Sequence, residues 1–584
     1  MKKYLIIALA AFGLAACAKD DLADGNKPIH GGEIEESYIA INLATSENTR
    51  AEGEYVDGAT TERAVQKANF FFFKDGAPFP VNVTDDTVTS PGGTINHLST
   101  TLSVNADNTD NNVSDVTNVV LLISNYKGEY PNQIVAVLNW NPEIDKAYYL
   151  SELETEVNLA TKYNSQDYFV MSNAVYAAGN IVMKATPLTD DNIKTTQSDA
   201  EDNPVTIYVE RVAAKVTVTT ADGSTMINLR KPVNPIGGVQ TDVYAKLLGW
   251  ELHNDIPQSY LLKHIDPTWD DVALGFTWND APWYRSYWAT SLPLPTPSPV
   301  VESFKMSYAD DEMPAGFATE YGFAIGNNAK FGTAEETAKS FTYVGENTNG
   351  KDQGTKVILK AQLVDVSGNA LDIASWYGNQ YIGENDLLTA VANTLKYTLF
   401  YKSGDNYVGI EPDDLMCVAG GTAVAPSGVA ANEVYFQLST TKPGAGANRA
   451  NGWYKLVNGE YKTVASDLSQ DANSVNATNN YLKTLDPGII YKNGETFYYV
   501  DIKHLGKRAN PSVAVDGEYG VVRNHIYNII INSIGGYGSP IYIGNSNLIT
   551  PEYPELPDAQ ESFVSAQVKI LSWRLVDQQV DIQK

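Results

Sequence analysis

The chain has 584 residues, more than one hydrophobic core holds, which predicts two or three domains. Its 43% hydrophobic residues suffice for packed cores, and 35 tyrosines with abundant valine, threonine and isoleucine lean towards strands. A formal net charge of −29 repels phosphate backbones and anionic lipid surfaces, so nucleic-acid partners are excluded and the acidity serves solubility outside the cell.

The chain opens on "MKKYLIIALAAFGLAACAKDD". Lys2 and Lys3 form a basic start, and Leu5 to Leu14 is an apolar run too short to cross a bilayer as a helix. Leu14-Ala15-Ala16-Cys17 then fits a lipoprotein signal peptidase, which cuts before a cysteine already carrying diacylglycerol. The alternative is an ordinary secretory signal with an incidental cysteine. Asp20 and Asp21 resemble the surface-export signal of Bacteroidetes lipoproteins. Several acyl chains on Cys17, palmitate included, make such an anchor stable. The other cysteine, Cys417, has no CxxC partner and no histidine nearby, so it reads as a buried inert thiol, and a disulfide framework is excluded.

Short strand-like runs follow, separated by Gly, Asn, Asp and Pro. "SYIAINLAT" puts Ile39, Ile41 and Leu43 on one face; "NFFFFKDG", "NVVLLISNY" and "QIVAVLNWNP" are buried-strand candidates. "VTIYVERVAAKVTVTT" alternates through Ile207, Val209, Val212 and Val216 with one interruption, as at a bulge. "VYAKLLGWEL", "TKVILKAQLV", "EVYFQLST", "ETFYYVDIKHL" and "HIYNIIINSI" continue the series, while "YLSELETEV" and "ENDLLTAVANTL" carry the best helical patterns. The expectation is an all-β chain of β-sandwiches with few short helices. A polar passage near residue 225 marks a domain boundary, and the prolines at 551, 554 and 557 keep "LITPEYPELPDAQ" an extended linker.

Sites of chemistry are not found in the sequence. His30, His97, His253, His264, His504 and His525 stand at no metal-ligand spacing, and HExxH, GxSxG, P-loop and GxGxxG motifs are absent. "NADNTDNNVSD" lacks the Gly and terminal Glu of an EF-hand and reads as a solvated loop rather than a calcium site. Trp269, Trp278, Trp283 and Trp288 offer stacking faces for sugars, or pack a long loop onto a sheet. No catalytic residue, cofactor or metal is expected, and so no enzyme.

The last run, "ESFVSAQVKILSWRLVDQQVDIQK", alternates again. Val564, Ala566, Val568 and Ile570 share one face; after a phase change Trp573, Leu575, Val580 and Ile582 extend the apolar set. Inserted into a partner's groove, about five or six such side chains at roughly 1.5–3 kcal/mol each give on the order of 10 kcal/mol before ordering costs. The tail either completes its own sheet or donates a strand to a neighbour.

Several blocks resemble the Bacteroidales fimbrillins, the subunits of type V pili, and above all the major subunit of the short fimbriae of Porphyromonas type. They are Glu210, Arg211 and Ala214 in "VERVAAKVTV"; "YVGENTNG" before "GTKVILKAQL"; Val522-Arg523-Asn524-His525 with Tyr527 in "GEYGVVRNHIYNIIINSIGGYGSP"; and the tail with Trp573. The resemblance implies two tandem transthyretin-like β-sandwiches and a donor-strand tail. It divides the chain into a signal peptide over 1–17, a propeptide with a temporary strand over 18–50, sandwiches over 51–225 and 226–540, and linker with donor strands over 541–584. It implies an outer-membrane lipoprotein precursor, cut by a trypsin-like Arg-specific protease between Arg50 and Ala51 rather than after Arg63, that joins an extracellular fimbrium. Its partners are then further copies of itself, head to tail, with fimbrial anchor and tip subunits, in support of adhesion and biofilm formation. A tip or accessory adhesin, or a surface glycan-binding lipoprotein, is the alternative.

Overall fold

The computed structural model describes residues 65–81, 95–101, 117–124, 129–158, 169–265, 289–294, 341–464, 471–504 and 519–540, with breaks of one to three residues inside some of them. Backbone strands are also described at 5–7, 36–44, 306–307, 548–549, 564–572 and 577–578.

Strands dominate, as the composition predicts. The elements used below are, in chain order, β1 (Glu36–Ala44), β2 (Lys67–Lys74), β3 (Thr117–Ser124), β4 (Gln133–Leu138), β5 (Met171–Asn173), α1 (Gln197–Asp202), β6 (Val205–Arg211), β7 (Ala213–Thr220), β8 (Tyr244–His253), β9 (Phe341–Gly345), β10 (Lys356–Val364), α2 (Gly383–Leu395), α3 (Asp471–Leu482), β11 (Glu495–Asp501), β12 (His525–Ile534) and β13 (Val564–Ser572).

The first sheet runs β3–β1–β6–β5–β4–β2, with Leu5–Ile7 paired parallel on the outer edge of β3. Strand β6 turns a corner within it. Val205 to Tyr208 pair with β1, whereas Val209 to Arg211 pair with β5. Sharing one strand folds the two halves over each other around a common core. Phe70, Phe71, Phe72 and Phe73 of β2 are all fully buried in it, with Ile39, Leu121, Val137 and Ile207. A continuous apolar run of this kind is a strand covered on both faces.

The second and third sheets enclose another core. One is β9–β7–β12–β13; the other carries β8, β10 and β11 side by side. Val216 and Val218 from β7 and Tyr527, Ile529 and Ile531 from β12 meet Ala245 and Leu247 of β8, Val357, Leu359 and Ala361 of β10 and Tyr498 of β11.

A third core sits between β10 and β11 in the chain. Helix α2 buries Leu387, Leu388, Val391, Ala392 and Leu395 on one stripe, against Leu415, Phe436, Trp453 and Leu482. Glu384 and Asp386 stand in its first turn, where the helix dipole favours negative charge.

Two local expectations are corrected. The interruption in "VTIYVERVAAKVTVTT" is a change of sheet, not a bulge: Val212 alone links β6 to β7, and Val212 N donates to Val170 O at 3.1 Å. "YLSELETEV" forms one 3-10 turn, Leu150–Leu153, and then the strand Glu156–Asn158, because burial of Leu153 needs only that turn. Among the described residues no helix is long and apolar enough to cross a membrane.

Candidate assembly site

Strand β1 fills a slot with partners on both edges. It pairs antiparallel with β3 from Glu36↔Ser124 to Leu43↔Thr117. On its other side Ile41 to Ala44 pair parallel with Val205 to Tyr208 of β6, and Ile39 and Tyr38 pair with Ile193–Lys194. Ile39 is fully buried in the first core, beside the rows Val119, Leu121, Ile123 and Val205, Ile207, Val209 from the slot's two walls. Helix α1 packs on the same strands, and Thr196 caps it by accepting from Asp199 N at 3.2 Å. Loss of β1 uncovers both rows of apolar side chains and two lines of backbone donors and acceptors, which a protein leaves open only at the cost of aggregation.

Strand β13 pairs antiparallel with β12, from His525↔Ser572 to Ile534↔Val564, shifting once between Ile531 and Ser533. Val564, Ala566, Val568 and Ile570 take register positions opposite Ile534, Ile531, Ile529 and Tyr527, all buried in the second core. Among the described residues, Asp577–Gln578 lie beyond β13 and pair with Lys569 and Val568. Strands β1 and β13 are each nine residues long. Cys17, Arg50, Ala51, Arg63, Trp573, Leu575, Val580, Ile582, the four loop tryptophans and the segment Asn105 to Asp115 lie outside the described residues.

A buried polar network joins the slot wall β6 to the residues that precede β12, the strand that pairs with the tail. Glu210 and Arg211 end β6. Lys263 Nζ stands 3.3 Å from Glu210 Oε2, both side chains fully buried. Burial raises the Glu210 carboxyl above its ordinary range, with the charges of Lys263 and Arg523 pulling the other way. Arg523 Nη2 stands 3.2 Å from Glu346 Oε2, and the same guanidinium donates to Ser259 Oγ, Tyr260 O and Leu261 O. Arg211 Nη1 donates to Asn524 Oδ1 at 3.2 Å, and Asn524 N donates to Ala213 O at 2.7 Å. Asn347 Nδ2 donates to Asn254 O, and Asn347 and Val521 bridge backbones at 2.8 Å. Three of the four sequence blocks that carry the resemblance therefore meet at one point, where the chain passes from the first sheet to the second.

Sequence reasoning did not foresee this convergence. Glu210, Glu346 and Arg523 look like surface charges in a window of sequence; the signal was an Arg or Glu set inside an apolar strand run, which must be paired to be buried. Nor did spacing pair His504 with His525, whose rings stand 4.9 Å apart. His504 Nδ1 lies 2.9 Å from Tyr527 Oη, which accepts from Val522 N at 2.7 Å. Among the described residues no group of His, Cys, Asp or Glu is placed to hold a metal. Cys417 is buried as expected; its N–H donates to Glu384 Oε1 at 3.3 Å, and burial pushes its thiol well above the usual range.

Residues 489–579, spanning β11, β12 and β13, match the family model described as "Major fimbrial subunit protein type IV, Fimbrillin, C-terminal". No curated protein matches the chain. Among solved structures, a chain from Parabacteroides distasonis assigned to cell adhesion is similar at a TM-score of 0.36 and 11% identity, covering 94% of this chain and 98% of that one. A fimbrial assembly protein from Parabacteroides distasonis gives a TM-score of 0.26 at 13% identity, over 57% of this chain and 87% of that one. The tip fimbrial protein Mfa3 of Porphyromonas gingivalis, truncated at its C-terminus, gives 0.25 at 13% identity, over 92% and 100%. Over residues 489–579 the chain thus resembles the C-terminal region of the fimbrillins.

Proposed function

We propose that the chain is a structural subunit of a cell-surface fimbrium, a shaft subunit that polymerises by exchanging strands. The fimbrillin C-terminal match supports a non-enzymatic fimbrial subunit working beside others at the cell surface. The observation that carries the finer reading is the position of β1: an interior strand of the first sheet that ends shortly before Arg50 in sequence.

The steps follow from that position. Signal peptidase cuts before the lipidated Cys17, removing residues 1–16, and the lipid on Cys17 holds the precursor at the outer membrane. A trypsin-like protease cuts between Arg50 and Ala51, so lipid and β1 depart together. The walls β3 and β6 then face an empty slot. A neighbour's β13, equal in length to β1, leaves its own β12 and fills it. Backbone ladders supply affinity, and alternate apolar positions supply register. Groove and tail lie on different parts of the molecule, so the contact is heterologous and propagates as a filament.

The test is to cut folded precursor with trypsin, stop the protease with an inhibitor, and then add a synthetic peptide of residues 559–584. The account expects the peptide to be held in equimolar amount, and a Val568→Asp peptide to be left free. A cut precursor that binds neither peptide contradicts it.

A further inference from the structure

The tail leaves the body of the protein after β12, through Gly535-Gly536-Tyr537-Gly538 and the short strand Ser539–Pro540. Three consecutive backbone carbonyls of this exit are each taken by a side-chain hydroxyl. Tyr498 Oη donates to Gly536 O at 2.9 Å, Thr496 Oγ1 to Tyr537 O at 2.6 Å, and Tyr491 Oη to Gly538 O at 3.1 Å. Tyr498 and Thr496 are fully buried on β11. Tyr537 in turn donates its own hydroxyl to Lys231 O at 2.9 Å. The backbone presses close at Gly538, where φ is +77° and an added Cβ would stand 2.4 Å from Thr496 Oγ1 and 2.7 Å from Phe497 O. Ser539 and Pro540 then pair with Phe497 and Thr496.

We propose that this hydroxyl clasp is a mechanical anchor for tension carried by the tail, an inference that rests on the shaft reading. In a filament, pull on the donated strand passes the two-residue pairing of Leu548–Ile549 with Met306–Ser307 and then reaches Pro540. Without an anchor the pull would pass straight to the end of β12 and draw it away from β7. The clasp stands before β12, and its hydrogen bonds, two from β11 and one from Tyr491 of the short strand Ile489–Tyr491, must break together. Deeper in the body the design is the same. Strands β7 and β12 are parallel, in register from Lys215↔Ile526 to Thr220↔Ile531. Load arriving from the slot through β6 pulls β7 towards its N-terminal end, while the tail pulls β12 towards its C-terminal end. Parallel strands drawn in opposite directions resist in shear, with every pair loaded at once.

The test is single-molecule unfolding of the full chain, with handles at Lys67 and Lys584 for pull through the exit, and at Lys67 and Glu460 for pull that bypasses it. The variant Tyr491→Phe with Tyr498→Phe keeps ring volume and removes two of the three hydroxyls; Thr496→Val removes the third. Through the exit, once β13 has detached from β12, the unfolding rate at fixed force should rise about tenfold in the double variant, forced unfolding being governed by the unfolding rate. Through the bypass it should stay within about twofold. An unchanged rate through the exit overturns the proposal, and so does equal acceleration in both geometries, which marks a merely structural role. Each measurement is made on one molecule, so failure of strand exchange leaves this result standing or falling by itself.

Discussion

Arg211 and Asn524, 313 residues apart in the chain, share a hydrogen bond from Nη1 to Oδ1 at 3.2 Å. Arg211 ends the strand that walls the slot, and Asn524 directly precedes the strand that holds the tail. The two ends of the proposed exchange are thus fixed to each other through a handful of buried polar groups.

That network sets the first prediction. Glu346→Ala leaves the Arg523 guanidinium buried without its carboxylate and should cost about 3–5 kcal/mol, read as a lower urea midpoint. Exposed Lys442→Ala, which removes an ion pair with Asp413 at the surface, should stay within about 0.5 kcal/mol in the same assay.

Gly446 gives the second. Its φ is +56°, and an added Cβ would stand 2.3 Å from Ser439 O and 2.5 Å from Ser439 N, where backbone cannot yield. The Gly446 carbonyl also accepts from Trp453 Nε1 at 3.1 Å. Gly446→Ala should cost about 3 kcal/mol or more in the third core, from strain at positive φ together with overpacking, and Trp453 fluorescence reports it.

Cys417 gives the third. In protein lacking residues 1–17 it is the single thiol. Buried, with its thiol pushed well up and Glu384 beside it, it should resist a thiol reagent at pH 8 in native buffer and react fully in denaturant. Rapid labelling of the native protein contradicts this.

Two groups contribute to the pH dependence, one at each end. His97 packs against Phe71 and Tyr148, and burial holds its imidazole below the ordinary 6.5. The unfolded ring takes a proton below about 6.5 while the folded ring does not, so this contribution is whole above that pH and falls as pH drops. His97→Phe should flatten the acid limb of a denaturation series. At the other end, burial pushes the Tyr537 phenol up to about 12. Its contribution is whole below about pH 10, where the unfolded phenol ionises, and is lost as pH rises towards 12. Tyr537→Phe should remove its share of that alkaline loss.

The strands were legible because apolar alternation and buried apolar runs are local signals. β2, β10 and β12 stand where their runs predict, and α2 stands where its apolar stripe predicts. Helix α3 was not legible. Its sequence, DANSVNATNNYL, is polar, yet Ser474, Thr478 and Leu482 recur at helical spacing and are fully buried. It is held by contacts from outside: Ser474 Oγ accepts from Trp453 N, and Asn479 Oδ1 from Leu438 N. The change of sheet at Val212 escaped for a related reason, since one strand run reads the same whether its two halves lie in one sheet or two. The polar junction needed contacts across more than 170 residues, as between Glu346 and Arg523, which no window of sequence contains.

The most direct measurement is a gel. Precursor lacking only its signal peptide is nicked briefly with trypsin, and boiled and unboiled samples are run in denaturant beside N-terminal sequencing. The account predicts a ladder that boiling collapses, a new N-terminus at Ala51, and no ladder once the residues after Asp558 are deleted. A single monomer band after a clean cut at Arg50 would contradict strand exchange by this chain alone.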